Sequence, residues 1–81
     1  MLNERRAGVR QTVNRPAKFQ ESPTAHTREC TIRDISNEGA RLIVPGGLAS
    51  DQFLLFDKGA PERRCSFLWR LGEVVGARFE E

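Results

Sequence analysis

The sequence predicts a small all-β protein, a six-stranded antiparallel β-barrel preceded by a flexible N-terminal arm. Six short runs carry apolar residues, and most of them alternate apolar with polar positions, the period of a half-buried strand. Glycine, proline, aspartate or asparagine separates the runs, and none of the runs reads as a helix. A closed barrel is preferred over a sandwich because closure removes exposed strand edges.

The N-terminal part of the chain divides into an arm and the start of the barrel. Residues 1–11 show little hydrophobic periodicity and form the predicted arm, whereas residues 12–81 form the predicted barrel domain. The first strand begins at Thr12, and apolar residues alternate with polar ones as far as Phe19. Pro16 lies within this strand, which indicates a sheet edge or a strand start.

The second and third predicted strands are joined by a well-specified turn. Residues 25–34 and 40–44 have the alternation of strands, and residues 36–39 connect them. The side chain of Asp34 can cap backbone N–H groups of this turn. Gly39 can take positive φ there without a Cβ penalty.

The last three predicted strands carry most of the aromatic residues. Residues 52–56 are mostly apolar, which fits a strand covered on both faces. In the strand over residues 62–71, Phe67 and Trp69 are assigned to the core, with Trp69 at the border of a binding site as the alternative. The strand over residues 74–79 completes the barrel.

The cysteines and the hydropathy pattern indicate a compartment. Cys30 and Cys65 fall within predicted strands, and the first twenty residues lack the apolar centre of a secretory signal. We therefore expect buried thiols in preference to a disulfide. No run approaches the roughly 20 apolar residues that span a bilayer. We expect a cytoplasmic protein that does not insert into membranes.

The sequence offers few residues that could act in catalysis or bind a metal. His26 is the single histidine and lies in a polar stretch, with no sequence feature that places it near a nucleophile. Cys30, Cys65 and His26 are too few and too scattered for a structural zinc site. No P-loop and no dinucleotide-binding glycine fingerprint is present. We expect no enzymatic activity, no metal and no cofactor.

Two clusters offer complementary chemistry for an anionic ligand. Residues 1–18 carry a local charge of +4 on a chain whose net charge is +2, which favours a small anion over a nucleic-acid duplex. Arg6 and Arg10 offer guanidiniums that can fork onto phosphate or the acceptor edge of guanine, and can stack on a base. Asp34 and Ser36 offer a carboxylate and a hydroxyl on a tight turn.

The order of these features resembles the PilZ family, bacterial domains that bind the second messenger cyclic di-GMP. An Arg-x-x-x-Arg arm precedes two strands and an Asp-x-Ser-x-x-Gly turn, and the matching residues are Arg6, Arg10, Asp34, Ser36 and Gly39. The resemblance spans nearly the whole chain, because the segments at residues 67–72 and 76–79 look like the closing strands of the family.

The resemblance implies a barrel whose arm folds over the ligand and presses it against the turn. It implies that Arg6 and Arg10 contact phosphates and the guanine O6 and N7 atoms. Asp34 would accept hydrogen bonds from guanine nitrogen donors. Ser36 would bind through its hydroxyl, and Gly39 would let the backbone approach the ligand closely.

Three further residues are secondary candidates. Arg5 precedes the first motif arginine, and in this family an arginine there accompanies binding of an intercalated pair of cyclic di-GMP molecules. Asn37 and Arg41 are candidates for the rim of the site, with exposed turn and strand positions as the alternative interpretation.

The predicted function is a non-catalytic cyclic di-GMP receptor that signals to a downstream protein partner by a conformational change. One alternative is a PilZ-like protein-interaction module without nucleotide binding. Another is a small barrel that binds single-stranded nucleic acid through the basic arm. That last function requires stacking aromatic residues on an exposed face, whereas the alternation places the aromatic residues mostly inside.

Overall fold

The computed structural model describes residues 11–80, which form six antiparallel strands. The strands are β1 (Gln11–Gln20), β2 (Arg28–Ile35), β3 (Gly39–Ile43), β4 (Gln52–Phe56), β5 (Arg63–Leu71) and β6 (Val74–Phe79). They close into a barrel in the order β1-β2-β3-β6-β5-β4. The predicted fold class, an all-β antiparallel barrel with six strands, is confirmed. The predicted arm, apart from Gln11, lies outside the described residues.

The observed strands follow the predicted ones closely, and the largest boundary shift is at the start of β2. Strands β4 and β6 coincide with the predicted segments. Strand β2 begins at Arg28, three residues later than predicted, because the chain first makes a turn in which the Ala25 N–H donates to the Ser22 carbonyl at 3.1 Å. Pro16 is tolerated within β1 because the registered pairing of β1 with β4 involves only Lys18 to Gln20.

The core is built from the inward-facing residues of all six strands. The largest fully buried side chains are Phe19, Ile32, Leu42, Leu55, Val44, Val75 and Cys65. The rings of Phe19 and Phe53 meet edge to face, with centroids 6.0 Å apart. In β4, Phe53 and Leu55 are buried but Leu54 and Phe56 are only half-buried. The prediction that residues 52–56 are covered on both faces is therefore wrong, because a barrel strand has one inner face.

Three irregularities interrupt the strand registers. The β1–β2 register shifts between Thr12 and Arg15, and the β2–β3 register shifts between Ile32 and Asp34. The β5–β6 register shifts between Phe67 and Trp69. The last shift breaks the alternation of β5 and leaves Trp69 41% exposed, so its assignment to the core is wrong.

The two cysteines are buried thiols, as predicted. Burial, together with the nearby charge of Asp57, raises the pKa of Cys30 to about 11. Burial likewise raises the pKa of the Cys65 thiol to about 12. Both side chains are therefore protonated and unreactive at neutral pH.

Candidate ligand-binding site

Asp34 near the end of β2 is a buried carboxylate, with 5% of its surface exposed. It lies opposite Arg41 in the β2–β3 register. The Arg41 Nε atom is 3.0 Å from Oδ1 and 2.9 Å from Oδ2 of this carboxylate. A buried carboxylate needs such a partner because desolvation of an unpaired charge is costly. Arg41 itself stays 44% exposed, so its guanidinium also faces solvent.

Ser36 organises the turn between β2 and β3. Its hydroxyl accepts a hydrogen bond from the Glu38 N–H at 3.2 Å, and its backbone N–H donates to the Gly39 carbonyl at 2.8 Å. A serine in a turn of this kind commonly forms such hydrogen bonds with the backbone. The predicted contact between the Ser36 hydroxyl and a ligand stays a prediction.

Gly39 is required by strand packing. A Cβ atom placed on Gly39 would lie 2.1 Å from the carbonyl oxygen of Ala77 on β6, a distance that only movement of the backbone could relieve. Among residues 11–80, the glycines with positive φ are Gly46, Gly47, Gly59 and Gly72. The expectation that Gly39 uses positive φ is therefore wrong, and β3 needs a glycine there to approach β6. Its predicted role in ligand approach stays a prediction.

A groove of about 520 Å³ opens beside Asp34. Its walls include Asn14, Arg33, Asp34, Arg41, Trp69 and Leu71. The volume falls within the range of roughly 300–1,000 Å³ that is typical of small-molecule sites. All three register shifts lie beside residues of this groove, and β-bulges commonly redirect side chains next to functional sites.

Trp69 forms an aromatic wall of the groove. Its indole lies directly against Gly76 of β6, because a Cβ atom on that glycine would be 2.2 Å from the indole Cε2 atom. The ring can offer a face or an edge to a planar ligand. Together with the exposed guanidiniums of Arg33 and Arg41, the groove combines positive charge, an aromatic surface and a carboxylate.

Sequence reasoning missed Asn14 and Arg33 as groove residues, placed Trp69 at the border of a site only as the alternative to the core, and named Arg41 only as a rim candidate. Trp69 lies in the same strand as Cys65 and Phe67, and regular alternation along that strand favours a core position. Only the register shift in β5 reverses that assignment, and a register shift depends on the partner strand.

A second buried carboxylate, Asp57, lies beside a different and more apolar groove of about 350 Å³. Arg15 forms a bidentate ion pair with Asp57, in which Nε donates to Oδ1 at 2.8 Å and Nη2 donates to Oδ2 at 2.6 Å. The hydrogen bond to Asp57 raises the pKa of Arg15 above its ordinary value. This pair joins β1 to the residue that follows β4.

No protein-family model matches the chain. No curated protein matches it either. The predicted ligand residues Arg5, Arg6 and Arg10 lie outside the described residues, so their approach to the turn stays a prediction. Between Gln11 and Glu80, no cluster of three or more metal-ligating side chains is found, nor a helix long and apolar enough to span a membrane.

Proposed function

We propose that this protein is a non-catalytic, cytoplasmic receptor for cyclic di-GMP with a PilZ-like barrel. The observation that carries the proposal is the buried Asp34 carboxylate, which lines the same groove as Arg41 and Trp69. The groove therefore provides an acceptor, a cation and an aromatic ring within one small volume. A purine nucleotide has donors, phosphates and a flat face, which are the complementary groups.

The base chemistry favours guanine. Its Watson–Crick edge presents two adjacent nitrogen donors, N1–H and N2–H, and an ionised carboxylate such as that of Asp34 has acceptors on both oxygens. The guanidiniums of Arg33 and Arg41 suit phosphate oxygens, because an arginine can form charge-assisted and bidentate hydrogen bonds to phosphate. Stacking on the indole of Trp69 would contribute about 1–3 kcal/mol per base.

The arm supplies the remaining contacts in this proposal. Arg6 and Arg10 would bind the phosphates and the guanine O6 and N7 acceptors, and Arg5 would join them when a pair of ligand molecules binds. Closure of the arm on the ligand would change the surface that a downstream protein recognises. Such a change follows if the ligand binds the closed state more tightly than the open state.

Titration of the full chain with cyclic di-GMP tests the proposal. We expect a saturable heat of binding and a change in the fluorescence of Trp69, the only tryptophan. Arg6→Ala and Arg10→Ala should each weaken binding by about 10- to 100-fold, the effect of losing a hydrogen bond to a charged group. Arg64→Ala, which removes the same charge from β5, is the matched control and should bind normally.

The absence of both heat and amide shifts at millimolar ligand would reject the receptor function. The remaining functions would then be binding of single-stranded nucleic acid and protein interaction without nucleotide binding.

Binding of single-stranded nucleic acid is favoured by one observation, the 41% exposure of Trp69, which provides a stacking ring. A labelled oligonucleotide that cyclic di-GMP cannot displace would support that function. The protein-interaction alternative is favoured by Leu68 and Leu71, which are 52% and 76% exposed.

A further inference from the structure

Asn14 has an unusual conformation beside the proposed site. It lies in the β1–β2 bulge, and it is the only non-glycine residue with positive φ between Gln11 and Glu80, at 46°. The left-handed region costs an ordinary residue about 1–2 kcal/mol, and asparagine tolerates it better than most. The side-chain amide of Asn14 is exposed and forms no hydrogen bond within the described part of the chain.

The bulge places Asn14 on the wall of the groove that Asp34 also lines. Thr12 is the register partner of Asp34, and Arg15 is the partner of Ile32, so β1 has two residues where β2 has only Arg33. Both Asn14 and Asp34 line the groove of about 520 Å³. A bulge redirects side chains in this way, and here it adds a neutral polar group to the wall that carries the carboxylate.

We propose that Asn14 is a specificity-determining residue that reads the guanine base, an inference that rests on the proposed cyclic di-GMP function. A guanine that donates N1–H and one N2–H to Asp34 has a second N2–H donor and the N3 acceptor on its adjacent edge. A carboxamide offers one acceptor oxygen and an NH₂ donor, which match those two groups. Asn14 thus recognises the 2-amino group that distinguishes guanine from hypoxanthine and adenine.

The test compares two ligands on the full chain, cyclic di-GMP and its hypoxanthine analogue, which lacks the 2-amino group. The variant is Asn14→Gly, because glycine adopts positive φ readily and removes the side-chain amide without straining the backbone. We expect the variant to bind cyclic di-GMP about 3- to 10-fold more weakly, the effect of one or two neutral hydrogen bonds. Its affinity for the analogue should fall by a smaller factor, because hypoxanthine keeps the N3 acceptor but offers no 2-amino donor to the Asn14 oxygen.

Gln52→Ala is the matched control, since it removes an exposed side-chain amide from β4 and should change neither affinity. An equal loss of affinity for both ligands in Asn14→Gly would overturn the proposal, because a structural role of Asn14 does not distinguish the bases. Unchanged affinity for both ligands would overturn it as well. If wild type binds neither ligand, the receptor function itself fails, which is a different result from either of these.

Discussion

The molecule has two buried carboxylates, and the ways in which arginine binds them differ. Asp34 and Asp57 are the only charged side chains that are buried between residues 11 and 80, at 5% and 8% exposure. Their partners Arg41 and Arg15 are exposed to almost the same extent, 44% and 42%. Arg15 holds both oxygens of Asp57 through two nitrogens, whereas Arg41 contacts Asp34 through Nε alone.

The difference in arginine contacts indicates which of the two ion pairs stabilises the barrel. Arg15 and Asp57 are 42 residues apart in sequence and join β1 to the end of β4, where only three registered pairs connect the two strands. Asp34 lies on β2 and Arg41 on β3, two strands that the sheet already pairs along their length. The Asp57 pair therefore reinforces the short junction between β1 and β4, whereas the Asp34 pair lines the groove of about 520 Å³.

The largest expected difference between the two carboxylates is in ligand binding, which Asp34→Asn tests. The change keeps the volume of the side chain but replaces one acceptor oxygen with a donor. We expect cyclic di-GMP affinity to fall by about 100-fold or more, because hydrogen bonds to a charged group are the strong ones. Titration calorimetry measures it, and Asp57→Asn is the matched control, expected to bind normally. Full affinity in Asp34→Asn would remove the proposed role of Asp34.

Stability should show the opposite ranking. Asp57→Asn should lower the free energy of unfolding by about 1–3 kcal/mol, since it breaks a forked, buried ion pair whose arginine can still reach water. Asp34→Asn should cost less, because the neighbouring strands remain paired. Urea denaturation of both variants measures the two values. Equal losses would mean that the geometry of the two pairs does not separate their tasks.

The pH dependence of stability tests the influence of Asp57 on the buried thiol of Cys30. Cys30 has an ordinary pKa of 9.0 that rises to about 11 in the folded protein, so the unfolded chain releases this proton first. Stability is therefore fully present below pH 9 and falls as the pH rises towards 11. The slope should reach about 1.4 kcal/mol per pH unit for one thiol.

Thermal unfolding between pH 8 and pH 11 follows this loss, since Cys65 contributes in the same direction. Asp57→Asn should reduce the slope slightly, because the charge of Asp57 helps to raise the pKa of Cys30. The double variant Cys30→Ala, Cys65→Ala is less stable at neutral pH but should lack this part of the decline. A decline that is as steep without the thiols would contradict the assignment.

The smallest expected difference is in the coupling energies of the two ion pairs. Double-mutant cycles to alanine should give about 1 kcal/mol for Arg15 and Asp57, because a forked pair with one buried partner exceeds the usual surface value. Arg41 and Asp34 should give about 0.5 kcal/mol, since one nitrogen makes the contact. A larger coupling for the second pair would reverse the comparison.

Local alternation carried most of the fold prediction, and contacts between distant strands explain where it failed. Strands β4 and β6 were predicted to the residue because their apolar runs end at clear turn residues. Trp69 was misassigned because a bulge depends on the register with β6, which one strand does not encode. The fork between Arg15 and Asp57 joins segments 42 residues apart, so no local pattern could indicate it.

The site was predicted only in part for the same reason. Asp34, which lines the groove, could be named from the sequence because it belongs to a turn motif that is contiguous in sequence. The ligand role of Gly39 stays a prediction, and its packing against the carbonyl of Ala77 on β6 could not be seen in the local sequence. Asn14 and Arg33 reach the groove through a bulge, so their placement also required the folded barrel.

The short pairing between β1 and β4 is where we expect local opening of the barrel. Local opening begins where the fewest backbone hydrogen bonds and contacts must be broken, and three registered pairs with one charged fork are a small barrier compared with the longer ladders elsewhere. Amide hydrogens there should exchange with solvent before those of β3 and β6, which lie on the far side of the closed sheet. The first motion towards unfolding would then part the strand ends while leaving the opposite wall intact.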